Sequence, residues 1–177
     1  YASTSSVYGG VIKFPQKEND PLKPMSPYGV SKLCGEHYCH AFHAMYGLHT
    51  VGLRYFNVYG PRQNPESLYS LVIPAFIDKI RRGERPVIDG TGKQSRDFVY
   101  VKDVVRANLL AAFDAPRAAG QSFNIASGRD TSILQILRLV ARHMGRPVNP
   151  RFGPRRQGDP MRTYEDVYGD RRDLGWR

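Results

Sequence analysis

Apolar and polar positions along the chain follow two periods. From Pro27, apolar or aromatic side chains fall at Tyr28, Leu33, Tyr38, Ala41, Phe42 and Met45, which predicts a helix opened by proline and closed at Gly47. The β-branched and aromatic run from Thr50 to Phe56 predicts a buried strand, ended by Asn57 and Gly60-Pro61. Tyr1 to Thr4 read as the end of an earlier strand running into a Ser-rich turn, and residues 9 to 27 as a loop. Strand, helix, strand order predicts a parallel pair. Helical spacing returns over Leu68 to Arg82, with Gly83 as its stop, over Asp103 to Ala115, and over Ser132 to Met144. Short strands are predicted around Val87-Ile88, Phe98 to Val101 and Ser122 to Ala126, and the Arg-rich tail from Arg151 to Arg177 reads as less regular.

Composition narrows the class. A chain of 177 residues that is 41% hydrophobic and 11% aromatic can build a globular core. It has no apolar run near the roughly 20 residues that span a bilayer, so the expectation is a soluble, cytoplasmic protein with no membrane contact. Cys34 and Cys39 lie on one predicted helix with diverging side chains, which disfavours a disulfide. The formal net charge of +10 calls for an anionic partner. Yet the basic residues are scattered, mostly Arg, and accompany no nucleic-acid-binding motif, so discrete phosphates fit better than nucleic acid. Cys34, His37, His40 and His43 step around the helix by three residues and supply no convergent metal-ligand set, so no metal site is expected.

The clearest chemical signal is Tyr28-Gly29-Val30-Ser31-Lys32. A spacing of four puts the phenol and the ammonium on one helical face, one turn apart. A Tyr hydroxyl ordinarily has a pKa near 10, and a neighbouring positive charge favours its phenolate, so the pair can form a general base. Upstream, Ala2-Ser3-Thr4-Ser5-Ser6-Val7-Tyr8-Gly9 presents hydroxyls at a strand end, where parallel sheets meet their ligands. Downstream lie Leu53-Arg54-Tyr55-Phe56-Asn57-Val58-Tyr59-Gly60-Pro61-Arg62 and Ser95-Arg96-Asp97-Phe98-Val99-Tyr100-Val101-Lys102-Asp103-Val104.

These four segments, in this order, resemble the extended short-chain dehydrogenase family, specifically its nucleotide-sugar epimerases and dehydratases. The resemblance implies an α/β fold: the C-terminal part of a Rossmann-like doubly wound parallel sheet plus the smaller α/β substrate-binding lobe. Residues 1–62 would belong to the NAD-binding domain and 63–177 mainly to the nucleotide-sugar lobe, with a segment at about 97–130 returning to the first. It implies Thr4, Tyr28 and Lys32 as the catalytic set, with Lys32 on the nicotinamide ribose. Tyr55 and Phe56 would lie near the nicotinamide of NAD. Asn57, Val72, Arg96, Arg156 and Asp159 would contact a nucleotide sugar, a UDP-sugar first among them, and two separated Arg suit a diphosphate. It also implies a homodimer through the aromatic face of the Tyr28 helix, which otherwise reads as core, and Trp176 by itself reads as packing the tail on the body.

One departure is large. The Gly-x-x-Gly-x-x-Gly turn that holds a dinucleotide pyrophosphate does not occur in these residues. Gly90-Thr91-Gly92-Lys93 lacks its spacing and reads as a tight turn. The expectation is a C-terminal fragment, inactive by itself. Where dehydratases of this family carry an acidic pair after the Thr, this chain has Ser5 and Ser6, which cannot supply the acid and base of water elimination. Epimerisation through a transient keto-sugar is the first reading. A decarboxylase or reductase of the same family, or a non-catalytic nucleotide-sugar-binding module, are the alternatives. At the position of Thr163 the resembling 4-epimerases carry a gate residue, and a small one implies room for an N-acetylated sugar.

Overall fold

The computed structural model describes residues 1–9, 14–65, 72–114, 116–155, 161–163 and 174–176. The chain divides into two compact units, Tyr1–Val58 with Asp97–Arg129 and Tyr164–Arg177, and Tyr59–Arg96 with Asp130–Thr163.

The first unit is a parallel α/β layer. Strands β1 (Ala2–Thr4), β2 (Val51–Tyr55) and β6 (Gln121–Ile125) lie in that order, β1 and β6 both parallel to β2. The register pairs Ser3 with Arg54 and Leu53 with Phe123. Parallel neighbours require a crossover, and helix α1 (Pro27–Tyr46) supplies the one between β1 and β2. One face of the sheet buries Leu53, Phe123 and Ile125 against Val99, Val104, Ala107, Ala118, Leu174 and Trp176. Val104 and Ala107 come from helix α3 (Val101–Leu109). On the other face Val7, Tyr8, Phe56 and Ala126 form a smaller cluster joined by Leu22 and Leu33. The Trp176 indole donates to Asp103 O at 3.0 Å, so the tail does pack on the body as the sequence suggested.

Helix α1 starts and stops where its sequence says. The Ser26 hydroxyl accepts from Gly29 N at 3.1 Å, Pro27 fills the first turn, and Gly47 N donates to His43 O at 2.9 Å. Its apolar stripe is another matter: Tyr38 is 68% and Met45 72% exposed, with Phe42 and Tyr46 also exposed, while only Gly29 and Glu36 are buried. Of the two expectations for this face, core or dimer contact, the core reading is therefore corrected. Toward the sheet α1 turns Leu33 and the polar, fully buried Glu36.

The predicted Thr50 to Phe56 strand is β2, with Phe56 N still reaching Ile125 O at 3.1 Å; a separate strand, β3 (Asn57–Tyr59), follows in a different sheet. Helix α3 begins at Val101, two residues before the expected Asp103, with Asp103 in its first turn where a carboxylate suits the helix dipole. Beyond Leu109 a wider turn covers Leu110–Asp114.

In the second unit, helix α2 (Val72–Arg81) buries Pro74, Phe76 and Ile80. The predicted start of that helix, from Leu68, lies outside the described residues. Helix α4 (Ile133–His143) is opened by a reciprocal cap, Ser132 accepting from Gln135 N at 3.2 Å while Gln135 Oε1 accepts from Ser132 N at 2.8 Å. Strand β4 (Val87–Asp89) pairs in parallel with β8 (Arg151–Gly153), and the first two residues of β5 (Ser95–Tyr100), which belong to this unit, pair with β9 (Arg162–Thr163). Strand β7 (Asp130–Ser132) leads into α4. The tail is thus more regular than its sequence suggests. Strands of two or three residues carry no detectable period, and partners more than 60 residues away define them. The Gly90 to Lys93 segment is a tight turn between β4 and β5, as read from its spacing.

Candidate active site

The first unit's candidate site lies where α1 meets the C-terminal end of β1. Thr4 ends the strand and caps a single 3-10 turn, Ser5–Tyr8, its hydroxyl accepting from Ser6 N at 3.2 Å and lying 3.3 Å from Ser6 Oγ. A methyl group placed on Gly29 would stand 2.8 Å from Ser6 O, which measures how closely α1 passes this turn. Tyr28 is 51% exposed. One turn on, the half-buried Lys32 donates to Ala2 O at 2.9 Å, with its Nζ 5.9 Å from the Tyr28 ring centroid and 5.4 Å from that of Tyr1. The structure thus holds Tyr28, Lys32 and Thr4 on two adjoining elements, with the ammonium fixed to the strand that ends at Thr4.

One turn beyond Lys32, the same stripe of α1 carries Glu36, only 1% exposed, and here sequence reading missed a constellation. Arg54, from the middle of β2, donates Nε to both Glu36 oxygens at 3.0 and 3.1 Å and Nη2 to Oε2 at 2.7 Å. Its Nη1 donates to Tyr8 Oη at 2.8 Å and to Glu18 O at 2.9 Å, and Tyr8 in turn donates to Asn124 Oδ1 at 2.7 Å. Ser3, the neighbour of Thr4, donates its hydroxyl to Glu36. Burial pushes the Glu36 carboxyl up, but the bonds and charge of Arg54 outweigh it and hold the group below its ordinary value. Burial likewise drives the Tyr8 phenol well above its ordinary range, only partly offset by Arg54. The missed signals were an Arg inside an apolar strand and a carboxylate extending the Tyr28, Lys32 stripe by four more residues.

His40 continues that helix face, Nε2 3.2 Å from Ser122 Oγ. Burial, ahead of the opposing charge of Glu36 and the like charges of Arg54, His37 and His43, pulls its imidazole below the ordinary 6.5. The unfolded chain then binds a proton that the folded chain resists, so stability is lost as pH falls below about 6.5. Denaturant midpoints measured between pH 8 and 5 are expected to fall on the acid side, and His40→Gln to flatten that fall. An unchanged slope in the variant would remove His40 as its source.

The remaining predicted residues divide between the units. Tyr55 and Phe56 project to opposite faces of the sheet. Tyr55 packs on the α3 side and donates to Asn108 Oδ1 at 2.9 Å, whereas Phe56 is buried beside Val7 and Tyr8. Asn57 is half-buried and donates Nδ2 to Asp97 O at 3.2 Å. The buried Asp97 carboxylate accepts from Ser127 N and Oγ, both at 2.7 Å, and from Gly128 N at 2.8 Å, fixing the turn after β6. In the second unit, Val72 is the first residue of α2, and Arg96, on β5, donates Nη1 to Ser95 O at 2.6 Å. The β5–β9 register sets Arg96 opposite Thr163. Arg156 and Asp159 lie outside the described residues, as does the side chain of Thr163. Among the described residues no helix is long and apolar enough to cross a membrane.

Comparison with known proteins gives this arrangement its context. The UDP-glucose 4-epimerase of Mycolicibacterium smegmatis is 36% identical over 99% of this chain and 55% of its own length. Among solved structures, a UDP-N-acetylglucosamine 4-epimerase from Methanobrevibacter ruminantium superposes with a TM-score of 0.94 at 38% identity, covering 100% of this chain and 56% of that one. A UDP-glucuronic acid 4-epimerase from Bacillus cereus, in complex with UDP-glucuronic acid and NAD, has a TM-score of 0.89 at 34% identity, over 99% of this chain and 55% of that one. The chain spans about half the length of these relatives. Residues 1–126, which contain β1, α1, β2 and β6 with Thr4, Tyr28 and Lys32, match the description of one family, and the chain belongs to it: the NAD dependent epimerase/dehydratase family.

Proposed function

We propose that the complete protein carrying this chain interconverts UDP-hexoses at C4 with NAD as cofactor, using Thr4, Tyr28 and Lys32. The observation that carries this reading is the Lys32 bond to Ala2 O, which ties the Tyr28–Lys32 face of α1 to the strand ending at Thr4. The donor set suits a nicotinamide ribose. An ammonium has three hydrogens, Ala2 O takes one, and diol hydroxyls can accept the others. When bound, NAD supplies a reversible hydride acceptor. The protein's own part is proton handling and orientation. The Tyr28 oxygen takes the proton of the sugar hydroxyl and returns it after the sugar has turned in the pocket. The Thr4 hydroxyl, now shared with Ser6, is the adjoining donor for the same oxygen. Ser5 and Ser6 provide no acid for dehydration, which favours epimerisation.

Asn57, Val72, Arg96, Arg156 and Asp159 are the proposed nucleotide-sugar contacts. The exposed α1 stripe of Tyr38, Phe42, Met45 and Tyr46 suits a second copy of the chain, giving a homodimer. The UDP-sugar epimerase relatives support the substrate class. The test is to assay the complete gene product with UDP-glucose and NAD for UDP-galactose. Failure to interconvert them while NAD is bound would overturn the reading.

The sugar range is set by Thr163. Its backbone stands in register with Arg96, so a side chain here belongs to the same strand pair as a proposed substrate contact. Thr163→Tyr is expected to reduce kcat/KM on UDP-N-acetylhexosamines far more than on UDP-glucose, because added ring volume clashes only with the larger sugar. Equal losses on both, or a wild type inert to N-acetylated sugars, would make Thr163 a structural residue only.

A further inference from the structure

We propose that Glu36 is a positioning residue: by bonding to β1 and β2 it sets the register of α1 along the sheet, and with it the place of Tyr28 relative to Thr4. The inference rests on the catalytic reading above. Tyr28, Lys32 and Glu36 recur every four residues, so they form one stripe along α1 that rises about 6 Å per step. The stripe meets β1 at consecutive residues, Lys32 at Ala2 O and Glu36 at the Ser3 hydroxyl, immediately before Thr4. Tyr28, which leads the stripe, makes no such bond of its own among the described residues, so its position follows from the two anchors below it.

The anchor is directional as well as buried. Glu36 receives Arg54 through three N–H contacts and receives the Ser3 hydroxyl. Arg54 is itself fixed by Tyr8 and Glu18, and Asn124 holds Tyr8 from β6. Ser3 of β1 and Arg54 of β2 therefore converge on one carboxylate of the helix, and β6 supports Arg54 through Asn124 and Tyr8. Stability alone does not account for it, because a buried ion pair is often replaced by apolar side chains of similar volume without loss. Apolar contacts, however, let a helix slide by a fraction of an ångström, whereas charge-assisted bonds of fixed geometry do not. α1 buries few apolar groups; Leu33 and the close approach of Gly29 to Ser6 O limit its tilt and distance, while the bonds to Glu36 are the directional ones among its contacts with β1 and β2. A displacement of about 1 Å in a reacting group can cost on the order of 100-fold in rate.

The test separates stability from turnover in the complete protein. Glu36→Leu combined with Arg54→Met replaces the pair by apolar side chains. The double variant is expected to melt at or near the wild-type temperature yet turn over at least about tenfold more slowly, with KM within about twofold. Recovery of both stability and kcat would overturn the proposal. Should the double variant not fold, Glu36→Asp keeps the charge but withdraws it by one methylene. Reduced kcat at unchanged KM is then expected, and wild-type kcat would overturn the proposal. A crystal structure of whichever variant folds provides a readout independent of activity: α1 should be shifted along β1, and an unmoved α1 refutes the positioning role. Tyr28→Phe in the same assay keeps the two readings apart. If it leaves turnover intact, the catalytic assignment has failed; if it abolishes turnover while the Glu36 variants do not reduce it, only the positioning role has failed.

Discussion

Tyr28→Phe in the complete protein is expected to lower kcat by on the order of 100-fold or more while leaving the melting temperature nearly unchanged. The two parts of this expectation have separate causes. The side chain is half exposed and its hydroxyl makes no hydrogen bond among the described residues, so its removal leaves no buried group unsatisfied. Exposed substitutions of this kind usually stay within about 0.5 kcal/mol. The kinetic loss arises because Phe retains the ring and loses the hydroxyl proposed to accept the sugar's proton. Steady-state kinetics and a thermal melt on one preparation decide it. A variant with near wild-type turnover removes Tyr28 from the chemistry, and a variant that melts far lower would show that the hydroxyl has a structural role.

Gly9→Ala is expected to destabilise the first unit by on the order of 3 kcal/mol or more, against about 1 kcal/mol for Gly47→Ala. Both residues have positive φ, 61° at Gly9 and 65° at Gly47. At Gly47 the backbone is left-handed helical and a methyl group would meet nothing within 4 Å, so only the torsional cost applies. At Gly9 ψ is −128°, a region open essentially to glycine alone, and the new methyl carbon would stand 1.7 Å from Lys23 O. Either this loop or the turn after Thr4 must then move, and Gly9 N bonds back to Ser6 O within that turn. Denaturant unfolding of the two variants measures the difference. Equal costs would show that the close approach at Gly9 relaxes without penalty.

What was legible in the sequence follows the range of the forces involved. Helix α1 was readable to within a residue because its stop and start are local: Ser26, Pro27 and Gly47 act on their own neighbours. The strand–helix–strand order and the parallel pair were readable because they follow from connection length. The Tyr28, Lys32 face was readable because helical geometry alone fixes it. Strands β8 and β9 were not, since each exists only through a partner more than 60 residues away. The stripe of α1 was legible only as two alternatives, core or dimer contact, for a related reason. Apolar periodicity marks a face suited to burial without saying what covers it, and in this chain Tyr38 and Met45 are uncovered.

The sequence by itself thus determined the order of elements, the local caps and the residue types available for proton transfer, because each depends on groups within a few positions of one another. Only the tertiary structure decided that Lys32 is tied to Ala2, that Tyr55 and Phe56 face opposite sides of the sheet, and that Glu36 and Arg54 are buried together. A charged residue read alone is expected at the surface. Its burial becomes tolerable only when a partner 18 residues away, with Ser3 and Tyr8 beside the pair, satisfies its bonds, and that depends on the assembled sheet.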